Sequence, residues 1–160
     1  MTATLPRSLP VTGAALVTTA VVGGLGTDVR SAWYARLTKP AWEPPGWVFG
    51  PAWTTLYSLI AVASARTIDR IEDPGDRRRY QVALGINLVL NIGWTWVFFT
   101  AKRPKLALAE ILLLEVSTID LLRRSARHDP TSGALLAPYA AWVAFATTLT
   151  AAIVKRNPDA

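Results

Sequence analysis

The sequence contains no cysteine, one histidine and one methionine, and these shortages exclude several classes of protein. Without cysteine there is no disulfide scaffold and no iron–sulfur cluster, and a single histidine, His128, supplies no Cys/His zinc site. Charged residues are also scarce, at 18% of the chain, whereas soluble domains carry about 25%. Since 51% of the residues are hydrophobic, the chain is too apolar for an ordinary soluble domain, and we expect no metal site.

The net charge of +6 would suit a nucleic-acid-binding protein, but the positions of the basic residues argue against that function. They cluster in short stretches between long apolar runs, as basic residues do at a membrane surface. We therefore expect a lipid bilayer as partner and no nucleic acid. The 17 Lys and Arg residues divide nine to eight between the two predicted membrane sides, so the loop charges assign no orientation.

Five apolar stretches each approach the roughly 20 residues that a helix needs to cross a membrane. They are Pro10–Gly26, Trp47–Ala65, Val82–Ala101, Leu106–Leu122 and Leu135–Val154. We predict an all-α integral membrane protein with one domain over residues 1–160, a bundle of five transmembrane helices. A soluble helical bundle is the alternative, but its helices would each carry a stripe of charged residues on the exposed face. Only the fourth stretch has internal charge, at Glu110, Glu115 and Asp120. The first stretch resembles a secretory signal after Arg7, but it is longer than such a segment and lacks a cleavage site.

The predicted loop at residues 27–46 differs from the other connections. Between Trp33 and Trp53 the chain has four of its seven tryptophans and four prolines. Proline restricts the backbone and indole offers a wide apolar face, so we expect this segment to contact a ligand. An interfacial aromatic belt is the alternative. The connections at residues 69–76 and 123–133 are polar, and we predict plain solvated loops there, with His128 in the second.

Three predicted helices have a face that combines aromatic, small and polar residues. Asn87, Asn91, Trp94 and Phe98 share a face of the third helix, Gly46, Gly50, Trp53 and Tyr57 one of the second, and Pro138, Trp142, Ala146 and Thr150, with Phe145 beside them, one of the fifth. Such faces could line an aromatic cavity with a few polar groups. They could equally serve helix–helix packing, in which amides bond across helices.

Three separated motifs resemble those of one family. Residues 33–57 read WYxxLxKPxWxPPxWxFxPxWTxLY, residues 90–99 read LNxxWxxxFF, and residues 138–146 read PYxxWxxFA. In this order they resemble the TspO/MBR family, the tryptophan-rich sensory proteins related to the mitochondrial translocator protein. The resemblance covers essentially the whole chain.

The resemblance implies a five-helix membrane protein, often dimeric, that binds tetrapyrroles. We accordingly expect a homodimer in a bacterial cell membrane, with protoporphyrin IX or haem as ligand and no required cofactor. Its Trp33 and Trp142 match two tryptophans associated with light-dependent porphyrin breakdown, although no conventional catalytic constellation is visible. The candidate ligand-binding residues are Trp33, Arg36, Lys39, Trp42, Trp53, Tyr57, Asn87, Asn91, Trp94, Phe98, Tyr139, Trp142, Phe145 and Ala146.

One departure from the family pattern and the position of the single histidine limit what is carried over. Ala152 stands where the animal cholesterol-binding segment has a tyrosine, so we do not expect cholesterol at the fifth helix. With His128 in a polar connection, we do not expect ordinary axial ligation of haem iron. The leading hypothesis is a tetrapyrrole-binding protein acting in porphyrin sensing, transport or light-dependent degradation. The alternatives are a transporter of another amphipathic molecule and a scaffold or regulatory membrane protein without catalysis.

Overall fold

The computed structural model describes residues 5–159 and shows an all-helical chain over that range. Its helices are α1 (Leu9–Gly26), α2 (Ala32–Arg36), α3 (Phe49–Arg70), α4 (Pro74–Thr95), α5 (Pro104–His128) and α6 (Pro130–Arg156). A 3₁₀ turn, Gly46–Val48, leads into α3, and a π-helical turn, Trp96–Thr100, extends α4. Five of the six α-helices are long, and α2 is a single short turn within the aromatic loop.

The long helices pack in a closed ring. In order around the ring α1 contacts α3, α3 contacts α6, α6 contacts α5, α5 contacts α4, and α4 returns to α1. Successive long helices run in opposite directions, so the aromatic segment, the π turn and the end of α6 meet at one end of the bundle. The starts of α1, α4 and α6 meet at the other end. We call the end with the aromatic segment the aromatic end, and the end where α1, α4 and α6 begin the arginine end.

The outer surface of the bundle is apolar, as a membrane protein requires. Large hydrophobic side chains are exposed along α1, including Val11 at 74% and Leu25 at 76%, and others are exposed on α4 and α5. A soluble protein rarely leaves so much apolar surface in water, whereas a bilayer solvates it. The helices long and apolar enough to cross a membrane number four in the described range: α1, α3 with its 3₁₀ turn, α4 with its π turn, and α6.

Each of the five predicted stretches overlaps a long helix, but the predicted count of five membrane-spanning helices is not confirmed. The stretch predicted at Leu106–Leu122 lies in α5, which does not qualify among the apolar spans. Its three acidic residues and the basic residues of its last turns are the physical reason, since ionised side chains are costly in hydrocarbon.

Two predicted loops are wrong, because the helices continue beyond their apolar parts. The connection predicted at residues 69–76 is reduced to residues 71–73, between the ends of α3 and α4. The loop predicted at residues 123–133 is reduced to Asp129 alone, and His128 is the last residue of α5. Asp129 is 1% exposed, so this connection is buried and not solvated.

Capping explains why such short connections suffice. Asp73 accepts a hydrogen bond from the Asp76 amide at 2.7 Å, Asp129 accepts one from the Thr131 amide, and a proline follows each cap. An acidic N-cap followed by proline is a favourable start for a helix. At the second junction Gly133 lets α6 approach α5, since a Cβ there would lie 2.6 Å from the Cβ of Ala126.

Candidate functional site

The segment between α1 and α3 is fixed by its own side chains. The Tyr34 hydroxyl donates to Glu43 Oε1 at 2.6 Å, and Lys39 Nζ lies 3.6 Å from the centre of the Tyr34 ring and 3.8 Å from Glu43 Oε2. Burial and the bond to Glu43 raise the pKa of Tyr34 far above its usual value, so this hydroxyl stays protonated. Lys39, predicted to meet a ligand, is therefore already paired within the loop.

The same segment is attached to the end of α6. The Thr38 amide donates to Asn157 Oδ1 at 2.9 Å, and Asn157 Nδ2 donates back to the Thr38 carbonyl at 2.9 Å. Beside this pair, Leu37 is buried against Phe98 and Phe99 of the π turn. The aromatic loop is therefore a built part of the bundle end and not a loose connection.

A first group of aromatic rings lies between α3 and α6. Its members are Trp42, Phe49, Trp53, Tyr57, Trp142 and Phe145, which we call the α3–α6 aromatic cluster. Trp53 stacks on Tyr57 at 5.2 Å between ring centroids and meets Trp142 edge-on at 6.2 Å. Trp142 also contacts Phe49 and Phe145 at 5.9 and 5.6 Å. The structure thus brings together predicted residues from the loop, α3 and α6.

A second group lies between the loop and α4. Its members are Trp33, Tyr34, Trp94, Phe98 and Phe99, which we call the loop–α4 aromatic cluster. Trp94 stacks on Phe98 at 5.6 Å between ring centroids, and Trp33 and Phe98 pack in a T-shaped arrangement at 5.8 Å. The π turn matters here, because its additional residue in the helical turn points both Phe98 and Phe99 inward.

The predicted amides take part in a chain of hydrogen bonds across four helices. Tyr57 donates to Asn91 Oδ1 at 2.8 Å, Asn91 Nδ2 donates to the Tyr139 hydroxyl at 3.2 Å, and Tyr139 donates to Asn87 Oδ1 at 3.0 Å. Asn87 Nδ2 then donates to Thr118 of α5 at 3.0 Å. Asn87 and Tyr139 are fully buried and Asn91 is 2% exposed. In this conformation these three residues connect helices and have no surface for a ligand.

Some buried polar atoms have no hydrogen-bond partner among the described residues. They are Trp94 Nε1, both carboxylate oxygens of Glu110 and one oxygen of Glu115. Glu110 lies where α5 approaches α4, with Oε1 3.2 Å from the position a Cβ would take at Gly93. Native structures rarely leave such groups unpaired, so the Trp94 donor and the Glu110 acceptors, beside the loop–α4 aromatic cluster, are available to a bound molecule or water.

Each of the two predicted reactive tryptophans lines a cavity, one at the aromatic end and one that runs from there along α3 and α6. The first, which we call the Trp33 cleft, has about 450 Å³ and is lined by Trp33, Arg36, Leu37, Arg156, Asn157, Pro158 and Asp159. The second, the Trp142 groove, has about 440 Å³ and lies between α3 and α6, with Trp47 and Trp142 among its lining residues. The structure therefore places Trp33 and Trp142 in separate cavities.

The Trp33 cleft combines an indole with two guanidinium groups. Arg36 donates through Nε to the Ala32 carbonyl at 3.1 Å, and Arg156 donates through Nη1 to the Ala152 carbonyl at 3.2 Å. Each bond is to the backbone one turn earlier and leaves the other N–H groups of the guanidinium for an anionic ligand. Arg156 was not predicted, because its position near the end of the chain gave no sign that α6 ends beside the aromatic loop.

Two predicted residues remain to be placed, and the prediction missed several residues that complete the clusters. Trp42 is 47% exposed and contacts Phe145 at 5.9 Å, and Ala146 is partly buried against the bundle core. Tyr34, Phe49 and Phe99 were not predicted, although each stands within one of the quoted motifs. No group of three or more His, Asp and Glu residues within residues 5–159 is arranged to hold a metal ion.

Comparison with known proteins places this geometry in a family. The sequence profile of the TspO/MBR family matches residues 11–156. The chain is 34% identical to the tryptophan-rich protein TspO of Chlorobaculum tepidum, over 85% of this chain and 87% of that protein. It is 37% identical to the human translocator protein, over 78% and 75%, and 35% identical to the tryptophan-rich sensory protein of Cereibacter sphaeroides, over 78% and 77%. The chain therefore belongs to the TspO/MBR family of membrane proteins.

Proposed function

We propose that this membrane protein binds a tetrapyrrole with carboxylate groups, such as protoporphyrin IX, at the aromatic end of the bundle. The observation that carries the proposal is the Trp33 cleft, whose lining combines the Trp33 indole with two guanidinium groups, Arg36 and Arg156, and one carboxylate, Asp159. A porphyrin has a flat π surface that suits the indole and propionates that suit guanidinium groups. The cleft volume of about 450 Å³ lies within the range of small-molecule sites.

The surroundings of the cleft support this assignment. Trp33 packs edge to face with Phe98, which in turn stacks on Trp94, so aromatic rings of the bundle support the indole that lines the cleft. The Thr38–Asn157 pair fixes the distance between the two chain segments that supply the arginines. A site held in this way needs little reorganisation when a rigid ligand binds.

Tryptophan fluorescence tests the proposal. Titration with protoporphyrin IX should quench the fluorescence of the purified protein saturably, and Trp33→Phe should weaken both the quenching and the affinity. Trp96→Phe is the matched control, because it removes one indole that bonds to Val22 on the α1 side. If both variants lose the same small fraction of quenching, the ligand does not lie against Trp33.

We also propose that α5 crosses the membrane, which makes five spans. Its neighbours α4 and α6 both run from the arginine end to the aromatic end, so the helix that joins them has to return across the bundle. At 25 residues it is about 37 Å long, enough for a hydrocarbon core of about 30 Å. Its exposed Leu112, Leu113 and Val116 face outward like the apolar residues of α1.

Single-cysteine labelling tests the crossing cleanly, since the sequence contains no cysteine. In sealed vesicles, Arg103→Cys and Arg127→Cys should react with an impermeant maleimide from opposite sides. Labelling of both from the same side would mean that α5 does not cross.

If the bound porphyrin is broken down in light, we propose that Trp33 is the indole that intercepts the oxidants. Trp142 lies in the other cavity, where Phe49, Trp53 and Phe145 surround it. Porphyrin absorbance should therefore fall in the light and not in the dark, and Trp33→Phe should slow the loss more than Trp142→Phe. The opposite ranking would place the macrocycle in the Trp142 groove.

A further inference from the structure

The largest concentration of positive charge around a cavity lies at the arginine end, far from the Trp33 cleft. This cavity, which we call the arginine cavity, has about 760 Å³ and is formed by the start of α1, the end of α3 and the first turns of α4. Four arginines and one aspartate are among its lining residues: Arg7, Arg66, Arg70, Arg77 and Asp69.

The aspartate in the cavity wall is already used by the backbone of α1. Asp69 accepts hydrogen bonds from the Arg7 amide at 2.5 Å and from the Ser8 hydroxyl at 2.6 Å, and the Ser8 amide lies within bonding distance. It thereby holds the segment before α1 against the end of α3. Within residues 5–159 the Arg7 guanidinium itself has no hydrogen-bond partner, so its charge is available to the cavity.

Two further arginines of the cavity are held by a buried aspartate. Arg66 and Arg70 lie one turn apart on α3 and donate to the two oxygens of Asp129 at 2.9 and 2.6 Å. The oxygen that Arg66 contacts, Oδ2, also accepts a bond from the Ser132 hydroxyl at 2.7 Å. Each guanidinium has five N–H donors and uses one of them on Asp129, so other donors remain for the cavity.

The fourth arginine is fixed by the end of a helix. Arg77, in the first turn of α4, donates through Nε and Nη2 to the carbonyl of Ile71 at 3.2 and 2.6 Å. That carbonyl follows the last turn of α3, where no intrahelical donor reaches it. The contact orients the guanidinium without neutralising it, because the partner is an uncharged carbonyl.

The cavity therefore has more positive than negative charge even when the buried aspartate behind it is counted. Four guanidiniums face two carboxylates, Asp69 and Asp129, which leaves an excess of two positive charges. The planar guanidinium group of arginine can donate two parallel hydrogen bonds to the oxygens of a phosphate. Arginine side chains that other contacts already hold in place lose little conformational entropy on binding. We propose that the arginine cavity is a binding site for a phosphate group, carried either by an anionic lipid headgroup or by a free phosphate-containing anion.

The position of the cavity is compatible with both sources. It lies at the level where apolar helices end, which is the headgroup layer of the bilayer, and it opens to solvent. An arginine near an anionic surface contributes roughly fivefold to affinity. Of the four cavity arginines, Arg7 is the one whose guanidinium has no hydrogen-bond partner within residues 5–159. Its loss should therefore weaken binding about fivefold and leave the fold intact.

The experiment compares Arg7→Gln with Arg127→Gln in the full chain. Arg127 is exposed at the same end of the bundle, does not line the cavity, and its replacement removes the same charge. One arm measures the rise in unfolding temperature on adding inorganic phosphate, against chloride at equal ionic strength. The other arm measures, by native mass spectrometry, how much phosphatidylglycerol stays bound after reconstitution in vesicles of phosphatidylcholine and phosphatidylglycerol.

Stabilisation by phosphate that Arg7→Gln reduces and Arg127→Gln does not would support the site and identify a free anion as its ligand. Retention of phosphatidylglycerol with the same dependence on Arg7, without stabilisation by phosphate, would support the site and identify a lipid headgroup. Equal behaviour of the two variants in both arms, or no binding in either arm, would overturn the proposal.

Discussion

Replacing Asp129 with asparagine should destabilise the bundle by about 2–3 kcal/mol. Asp129 is 1% exposed, while the side chains of its partners Arg66 and Arg70 are 31% and 50% exposed. Exposed ion pairs contribute about 0–1 kcal/mol, and breaking a fully buried pair from one side costs about 3–5 kcal/mol. A buried carboxylate with half-exposed partners lies between these limits. Asparagine still caps α6, so the loss reports on the charge and not on the cap.

The control is the same substitution in an exposed ion pair. Asp120 accepts a bond from Arg124 at 2.6 Å one turn along α5, but its side chain is 48% exposed. Asp120→Asn should cost no more than about 0.5 kcal/mol. The assay is chemical unfolding in detergent micelles, followed by tryptophan fluorescence. Equal losses in the two variants would refute the reasoning that burial gives the Asp129 pair its larger contribution.

Three further predictions concern stability. Burial opposes ionisation of Asp129, but the hydrogen bonds from Ser132 and Arg66 and the charges of the two arginines outweigh it and lower the pKa of Asp129. Because the pKa is lower in the folded than in the unfolded state, the ionised carboxylate contributes its full stabilisation above about pH 4, and that stabilisation is lost on further acidification. Acid titration of wild type and Asp129→Asn checks this, and a difference that vanishes near neutral pH would contradict it. Gly133→Ala should lower the free energy of unfolding by about 1–3 kcal/mol, because the new Cβ would lie 2.9 Å from the Cα of Ala126. Gly13→Ala is the control and should not destabilise the protein, because no atom lies within 4 Å of its Cβ position. Equal unfolding temperatures of the two variants would contradict this prediction. Tyr139→Phe should cost about 1–3 kcal/mol by leaving two buried amide groups unpaired, and thermal unfolding unchanged from wild type would show that the hydrogen-bond chain across the helices is unimportant.

The apolar stretches located the long helices well but not their ends. At the arginine end the sequence from Arg123 to Gly133 is polar, which suggested a loop around His128. In the structure α5 continues to His128 and α6 begins at Pro130. This is possible because Asp129 accepts hydrogen bonds both from an amide in the first turn of α6 and from the arginines of α3. An aspartate followed by proline is a helix-start pattern, so this boundary had a readable signal.

The helix faces predicted which residues point inward but not what they do there. Asn87 and Asn91 do lie inside the bundle, where the sequence left a cavity and helix packing equally open, and the structure shows bonds across helices. The choice depends on which hydroxyls the neighbouring helices bring within reach, and that is a property of the packing. The Trp33 cleft was unpredictable for the same reason, since it needs the end of α6 beside the first loop.

The most direct test of the central claim compares protoporphyrin IX with its dimethyl ester, which keeps the macrocycle and lacks the carboxylates. A hydrogen bond to a charged group contributes about 1.5–3 kcal/mol, so we predict that wild type binds the free acid at least about tenfold more tightly than the ester. The double variant Arg36→Gln with Arg156→Gln should lose that preference, and Lys155→Gln, on the neighbouring exposed position outside the cleft, should keep it. Equal affinity of wild type for acid and ester, or a preference unchanged in the double variant, would contradict binding in the Trp33 cleft.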